Sequence, residues 1–308
     1  MKKPLPFSRA KWGAASVLTA LLLTLSTVVS AQPVGIATTK HNLGSGTGPA
    51  SRNHVVGSDN VTGTAEICVF CHTPHGADTG APAPLWNKRL GVNGIPTSGT
   101  GTFITYDTLQ TPSLDGTVAP VGSISMACLS CHDGTQAMDN IINAPGSGGV
   151  VADGGGTLGR GYDWTGSPRA TADGLMTNGG GFIANLGTDL SNDHPIGIQY
   201  CGGGLSGAGN VVSGACKDPD FKAAETKVVN GNQIFWVDTG GAGKQRTDLP
   251  LYTRTTGGLG PMVECASCHD PHVSEGQAGP ATTGQVSGAT FLRISNASSA
   301  VCTACHVK

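Results

Sequence analysis

The string Cys-x-x-Cys-His occurs four times: CVFCH at Cys68–His72, CLSCH at Cys128–His132, CASCH at Cys265–His269 and CTACH at Cys302–His306. At this spacing two thiols add across the two vinyl groups of one porphyrin, and the adjacent imidazole falls under the iron as its proximal ligand. The string therefore reads as the attachment site of a c-type haem. The four copies take eight of the ten cysteines. Paired CxxC groups also build zinc sites, but zinc has no use for a His directly after the second Cys in every copy. The copies are also separated by 60, 137 and 37 residues, not by one ribbon-like interval. A redox dithiol expects a single CxxC near a βαβ pattern. The expectation is four covalent haem c groups. Their thioether anchors are Cys68, Cys71, Cys128, Cys131, Cys265, Cys268, Cys302 and Cys305, and their proximal ligands are His72, His132, His269 and His306.

Upstream of these motifs, residues 1–31 read as an export signal peptide. Lys2, Lys3, Arg9 and Lys11 form a basic start, an apolar run from about Gly13 to Val29 follows, and Val29-Ser30-Ala31 offers small residues for cleavage. The run approaches membrane-spanning length, but its position and flanks favour cleavage, and no Cys at the cut suggests a lipid anchor. The expected product is exported and free of a membrane anchor. Loss of those four cations leaves 14 basic against 20 acidic residues, a net charge of −6. That balance argues against nucleic acid and anionic membrane surfaces as partners.

Composition bounds the fold. Aromatic residues make up 5% of the chain and charged residues 12%, while 48 Gly and 18 Pro raise the entropy that folding must overcome. Such a chain does not build an ordinary core from its own side chains. The fold class expected is mostly irregular coil with short helices and a few short β-strands, wrapped around haems that form the core. Three segments follow the signal. Residues 32–140 hold the N-terminal arm and haems 1 and 2, residues 141–260 a Gly-rich insertion, and residues 261–308 haems 3 and 4. Within the insertion, Asn143–Gly181 reads as a surface loop. Cys201 and Cys216, the two remaining cysteines, read as a disulfide in an exported protein. ETKVVNGNQIFWVDT reads as a β-hairpin turning at Asn230-Gly231. Earlier, GTFITYDTL alternates weakly and reads as a short strand. Met126 and Met262 precede motif cysteines and are assigned to packing.

Nine histidines minus the four proximal ones leave His41, His54, His75, His194 and His272 as candidate sixth ligands. His75 and His272 each lie three residues beyond a proximal His, with Pro74 or Pro271 between. Neither can curl to the far face of its own haem, so each is expected to serve a neighbouring one. The expected pairing is His75 with haem 2, His194 with haem 3 and His272 with haem 4. His41 precedes every motif on a Gly/Ser/Thr-rich arm and serves haem 1 of its own chain or an iron of a neighbour. Six-coordinate bis-His iron leaves no open position for substrate, so the chemistry expected is outer-sphere electron transfer and not catalysis.

KHNLG, CVFCHTPHGA, CLSCHDGT, SNDHPIG, CASCHDPH and the ending FLRISNASSAVCTACHVK together resemble the secreted multihaem cytochromes of metal-reducing bacteria. More narrowly, they resemble the OmcE-type tetrahaem subunits that polymerise into extracellular cytochrome nanowires. The resemblance covers the haem-bearing segments. The Gly-rich insertions and the Cys201/Cys216 pair lie outside it. It implies distal ligands at His41, His75, His194 and His272, with His54 spare. It also implies haems stacked alternately parallel and T-shaped, and one iron ligated by a His of the next subunit. The implied partners are other copies of the chain, head to tail, together with other electron-transfer cytochromes and extracellular electron acceptors. The alternatives are a monomeric periplasmic electron shuttle and, more weakly, a multihaem reductase with one five-coordinate iron.

Overall fold

A computed structural model of the chain describes residues 36, 39–44, 64–81, 83–90, 103–112, 114–145, 162–164, 167, 169–178, 183–205, 216–254, 260–272 and 291–307. The expected signal peptide and His54 lie outside the described residues. The chain divides into two units, Met1–Gln32 and Pro33–Lys308, and every described residue belongs to the second.

Among the described residues regular structure is sparse, and much of it coincides with the Cys motifs. Helix α1 is Ser123–His132, α2 is Cys265–Cys268 and α3 is Ala300–Cys305, while the first motif sits on a 3-10 turn at Cys68–Phe70. Among the described residues, no helix is long and apolar enough to cross a membrane. Helix α2 starts at a capping box. Glu264 accepts the backbone N–H of Ser267, and Ser267 Oγ accepts that of Glu264, so two orphan donors of the first turn are satisfied.

The strands are β1 Ile198–Gln199, β2 Glu225–Val229, β3 Asn232–Val237, β4 Leu249–Leu251 and β5 Met262–Val263. Strands β2, β3 and β4 form one antiparallel sheet, and β1 pairs with β5. The β2–β3 hairpin turns where the sequence places it: Asn230 (φ 50°) and Gly231 (φ 79°) supply the two positive φ values of a type I′ turn. Strand β2 is exposed throughout, whereas Phe235, Trp236 and Val237 of β3 are buried.

Two expectations are corrected. The described part of GTFITYDTL, residues 103–109, is not a strand: Tyr106–Leu109 is a 3-10 turn, and Ile104 makes only an isolated bridge to Asp189. The Thr105 carbonyl accepts both the N–H and the hydroxyl of Thr108, at 3.1 and 2.7 Å, and this local closure competes with ladder pairing. The second correction concerns the run Asn143–Gly181. Its described part is not simply surface loop, because Trp164 is buried against Phe70, Met138 and Ile141.

The buried apolar residues sort into three small clusters, each packed against motif cysteines. Val69, Phe70, Met138, Ile141 and Trp164 enclose Cys71 and Cys131. Ala83, Trp86 and Ala127 also meet Cys71. Tyr200, Leu205, Phe235, Val237, Leu249, Leu251 and Ala304 meet Cys305. Cys201 and Cys216 are disulfide-bonded, with Cα atoms 5.2 Å apart, within this last cluster.

Candidate haem-ligating sites

Three of the four motifs share one backbone frame that the spacing alone does not reveal. In each, the His N–H returns to the carbonyl of the first Cys. The distances are 2.8 Å for His72 to Cys68, 3.0 Å for His269 to Cys265 and 2.9 Å for His306 to Cys302. This single helical turn gathers the two thiols and delivers the imidazole beside them. Each of these histidines then enters an isolated antiparallel bridge: His72 with Trp86, His269 with Leu292 and His306 with Phe221. The flanking bonds repeat as well. The second Cys carbonyl accepts from Asn87, Arg293 or Lys222. The residue after the His donates to Leu85, Phe291 or Asp220. Leu85 (φ 53°) and Phe291 (φ 54°) occupy equivalent places ahead of the bridge, both in the left-handed region that bulky residues avoid.

The imidazoles are oriented through Nδ1. His72 Nδ1 donates to the Pro84 carbonyl and His132 Nδ1 to that of Ala184, both at 2.7 Å. His41 Nδ1 donates to Pro271 O at 3.2 Å, and His194 Nδ1 to Pro195 O at 3.0 Å. His272 Nδ1 meets Asp270 Oδ1 at 3.2 Å. Carbonyls and carboxylates only accept, so the proton stands on Nδ1 and Nε2 keeps its lone pair. A metal-ligating histidine needs this arrangement. Burial, with His132 beside it, lowers His41 to about 4 and keeps the ring neutral. Burial also lowers His132 and His194. The Asp270 hydrogen bond raises His272, and the His272 side chain in turn holds Asp270 down at about 2.

Four of these rings form two pairs. His72 and His272 have centroids 6.0 Å apart and planes 16° from parallel, and His41 and His132 are also 6.0 Å apart with planes at 76°. An imidazole nitrogen sits roughly 2 Å from a first-row transition metal, so two imidazoles on opposite sides of one iron place their ring centres about 6 Å apart. The donor sets at these two positions therefore fit a bis-His haem. His194 lies within electrostatic reach of His306. These placements differ from the pairing expected from sequence: His272 stands against His72 of motif 1, not motif 4, and His194 near motif 4, not motif 3. Nor is His41 on a loosely packed arm. Its ring stacks on Phe291 at 4.0 Å, 12° from parallel. A chain fold sets these pairs, and three residues of local sequence do not. His75 is exposed, and only its carbonyl is anchored, by Thr73 Oγ1 at 3.0 Å and Asn143 Nδ2 at 2.7 Å.

The thiols run in sequence order. Cys71 neighbours Cys131, Cys128 is hydrogen-bonded to Cys265, and Cys268 neighbours Cys302 and Cys305. All eight motif cysteines are free of disulfides. Burial pushes the Cys71 and Cys305 thiols up to about 12 and that of Cys268 to about 11. Among the described residues, no three His, Cys, Asp or Glu side chains converge on one metal-sized point.

Sequence reasoning missed the residues that fasten motif to motif. Glu264, buried beside Cys265, accepts Arg254 Nε and Nη2 at 3.0 and 2.7 Å and Ser125 Oγ at 2.6 Å. Ser125 Oγ in turn accepts the Cys265 N–H at 2.9 Å. This network locks α1 to α2. Its only sequence signal is an acidic residue directly ahead of a motif. Asn87 donates to Val69 O at 2.6 Å and Asn143 O at 2.8 Å, and Lys88 Nζ reaches three carbonyls of the loop after α1.

Comparison of the chain with protein-family models, with curated proteins and with solved structures finds no match.

Proposed function

We propose that this chain is an exported tetrahaem c-type cytochrome that conducts electrons and performs no catalysis of its own. The observation that carries the reading is the pair of imidazole couples, His72/His272 and His41/His132, each 6.0 Å apart, with every Nδ1 hydrogen-bonded to a carbonyl or carboxylate oxygen. Each haem supplies a reversible one-electron iron couple. The chain's part is to bind, orient and order. Cys68/Cys71, Cys128/Cys131, Cys265/Cys268 and Cys302/Cys305 hold the four groups. Carbonyls of Pro84, Ala184 and Pro271 fix ligand tautomers. Adjacent thiols set the motifs in the order 1–2–3–4.

In this reading His72 and His272 serve haem 1, His132 and His41 serve haem 2, and His306 and His194 serve haem 4. The second ligand of haem 3 comes from His54 or from another chain's His75, whose exposed imidazole sits on an anchored backbone. The second source makes a head-to-tail contact, which repeats as an open filament unless its rotation closes a ring. Such a filament would deliver electrons to other cytochromes and to acceptors outside the cell. A monomeric periplasmic shuttle has the same internal wiring without the assembly.

Intact mass tests the core of the proposal: the mature chain must exceed its polypeptide mass by four haems, and all iron must be low-spin. A native high-spin population points instead to a reductase. Electron micrographs of the purified protein separate filament from shuttle. His75→Ala should abolish filaments if the crossing ligand is His75, whereas His54→Ala leaving filaments but one iron high-spin assigns haem 3 within the chain.

A further inference from the structure

We infer that Phe291 is a positioning residue for haem 2: its ring clamps the plane of the His41 imidazole and so holds the two ligands of that iron crossed. The inference rests on the tetrahaem reading above and assigns the ligand angle of one iron to one aromatic side chain.

His41 Nδ1 donates to Pro271 O at 3.2 Å. That bond directs the N–H but leaves the ring plane free to rotate about the bond axis. The Phe291 ring supplies the missing restraint. Its centroid lies 4.0 Å from that of His41 with planes 12° from parallel, so rotation of the imidazole would drive a ring edge into the phenyl face. Held in this way, His41 stands at 76° to His132 across a centroid distance of 6.0 Å. His132 is fixed in turn by its own bond from Nδ1 to Ala184 O at 2.7 Å.

Phe291 is itself held on both sides by the frame of motif 3. Its carbonyl accepts the Asp270 N–H at 2.8 Å, Leu292 bridges His269, and the Arg293 N–H donates to the Cys268 carbonyl at 2.8 Å. The residue is buried, and its φ of 54° is one that a bulky side chain adopts only where its surroundings hold it there. Pro271 and Phe291 both belong to this frame, so the segment that carries haem 3 fixes the ligand plane of haem 2.

The backbone position does not demand an aromatic ring. Leu85 takes the equivalent place beside motif 1, with φ 53°, and is exposed. The distal ring of haem 1 lacks such a clamp: among the described residues the ring against His272 is that of His72, and the His272 side chain is 59% exposed.

In low-spin ferric iron each axial imidazole plane raises one of two d orbitals. Parallel planes raise the same one and separate the pair, whereas crossed planes raise one each and leave the pair nearly equal in energy. The angle at haem 2 thus decides the orbital that gains and loses the electron, and Phe291 sets that angle through His41.

The test is electron paramagnetic resonance of the full-length haem-loaded protein beside Phe291→Leu and Phe291→Tyr. The haem 2 signal is the one that disappears in His41→Ala. Leucine already occupies this backbone conformation at position 85 and removes the flat face, whereas tyrosine keeps it. The haem 2 signal should be of the large-gmax type in the wild type and in Phe291→Tyr. In Phe291→Leu it should move toward the rhombic type and broaden as the ring takes up a range of angles, with the haem 1 signal unchanged and all four irons low-spin. A Phe291→Leu signal unchanged in position and width overturns the inference even where Tm falls, because a purely structural role moves Tm alone. A wild type with four low-spin haems and no large-gmax signal tied to His41 overturns it as well, while leaving the tetrahaem reading intact. A wild-type mass without haem defeats that reading itself. If Phe291→Leu fails to assemble, nuclear magnetic resonance of the wild type decides: the Phe291 ring protons must show cross-relaxation with the His41 ring, and its absence overturns the inference.

Discussion

The imidazoles of His72 and His272 stand 6.0 Å apart with planes 16° from parallel, although the first lies in the first Cys motif and the second three residues past the third. The segment that carries His272 begins at His269, the proximal position of motif 3, and its Pro271 carbonyl accepts His41 Nδ1. One tetrapeptide, His269–His272, thus touches the ligand sets of three haems in the proposed arrangement. Pro271, with its fixed φ, restrains the short turn between the two histidines.

Replacing His272 with Ala should therefore turn haem 1, and not haem 4, high-spin. One iron in four should change, and His41→Ala should convert haem 2 in the same way. Electron paramagnetic resonance distinguishes them, because the nearly parallel rings of haem 1 predict a rhombic signal and the 76° angle at haem 2 a large-gmax signal. Loss of the large-gmax signal in His272→Ala would contradict the pairing.

The Arg254–Glu264 pair should matter more for stability than its single ion pair suggests. Removal of one partner of a buried pair leaves the other charge uncompensated and costs about 3–5 kcal/mol, so Arg254→Ala should show a loss of that size in chemical denaturation. Arg254→Lys should fall between, since a lysine cannot reproduce the forked contact with Oε1. Burial raises the Glu264 carboxyl, against the opposing pull of Ser125 and Arg254. The folded chain then holds this proton more tightly than the unfolded one. The corresponding stability is present below the unfolded value and is lost as pH rises through the folded value. Relative to Glu264→Gln, the wild type should lose Tm as pH rises through that window.

Leu85 and Phe291 share a positive φ and should respond oppositely to glycine. Leu85 is 55% exposed, so Leu85→Gly relieves a left-handed backbone at little packing loss and should stabilise by about 1 kcal/mol. Phe291→Gly relieves the same backbone but removes the ring stacked on His41, and should lower Tm and loosen haem 2. Equal responses would show that the Phe291 ring contributes nothing by stacking on His41.

The Cys201–Cys216 disulfide closes a stretch of 15 residues. Its replacement by two alanines should cost about 3 kcal/mol. Because the bridge packs in the cluster that meets Cys305, the loss should appear first at haem 4, as an early change in its spectrum during thermal unfolding.

Much of the local structure is legible in the residues themselves. The hairpin at Asn230-Gly231 follows from two residues that tolerate positive φ between alternating strands. The weak alternation of GTFITYDTL misled, because Thr105 and Thr108 close a turn on each other before any partner strand can compete. Trp164 misled in the other direction, as its Gly-rich surroundings conceal that it fills the space between Phe70 and Met138.

By itself the sequence determined which cysteines come in CxxC pairs, which histidines follow them directly, and which five imidazoles remain. Covalent spacing is a short-range property, and it is written in consecutive residues. Only the tertiary structure decided the partners, placing His272 beside His72, His41 beside His132, Glu264 between Ser125 and Arg254, and Lys88 under the loop after His132. Each of these relations joins segments far apart in the chain, and among the described residues little regular structure fixes their register. Their geometry is set by buried hydrogen bonds and small apolar clusters that form only when the whole chain closes on itself.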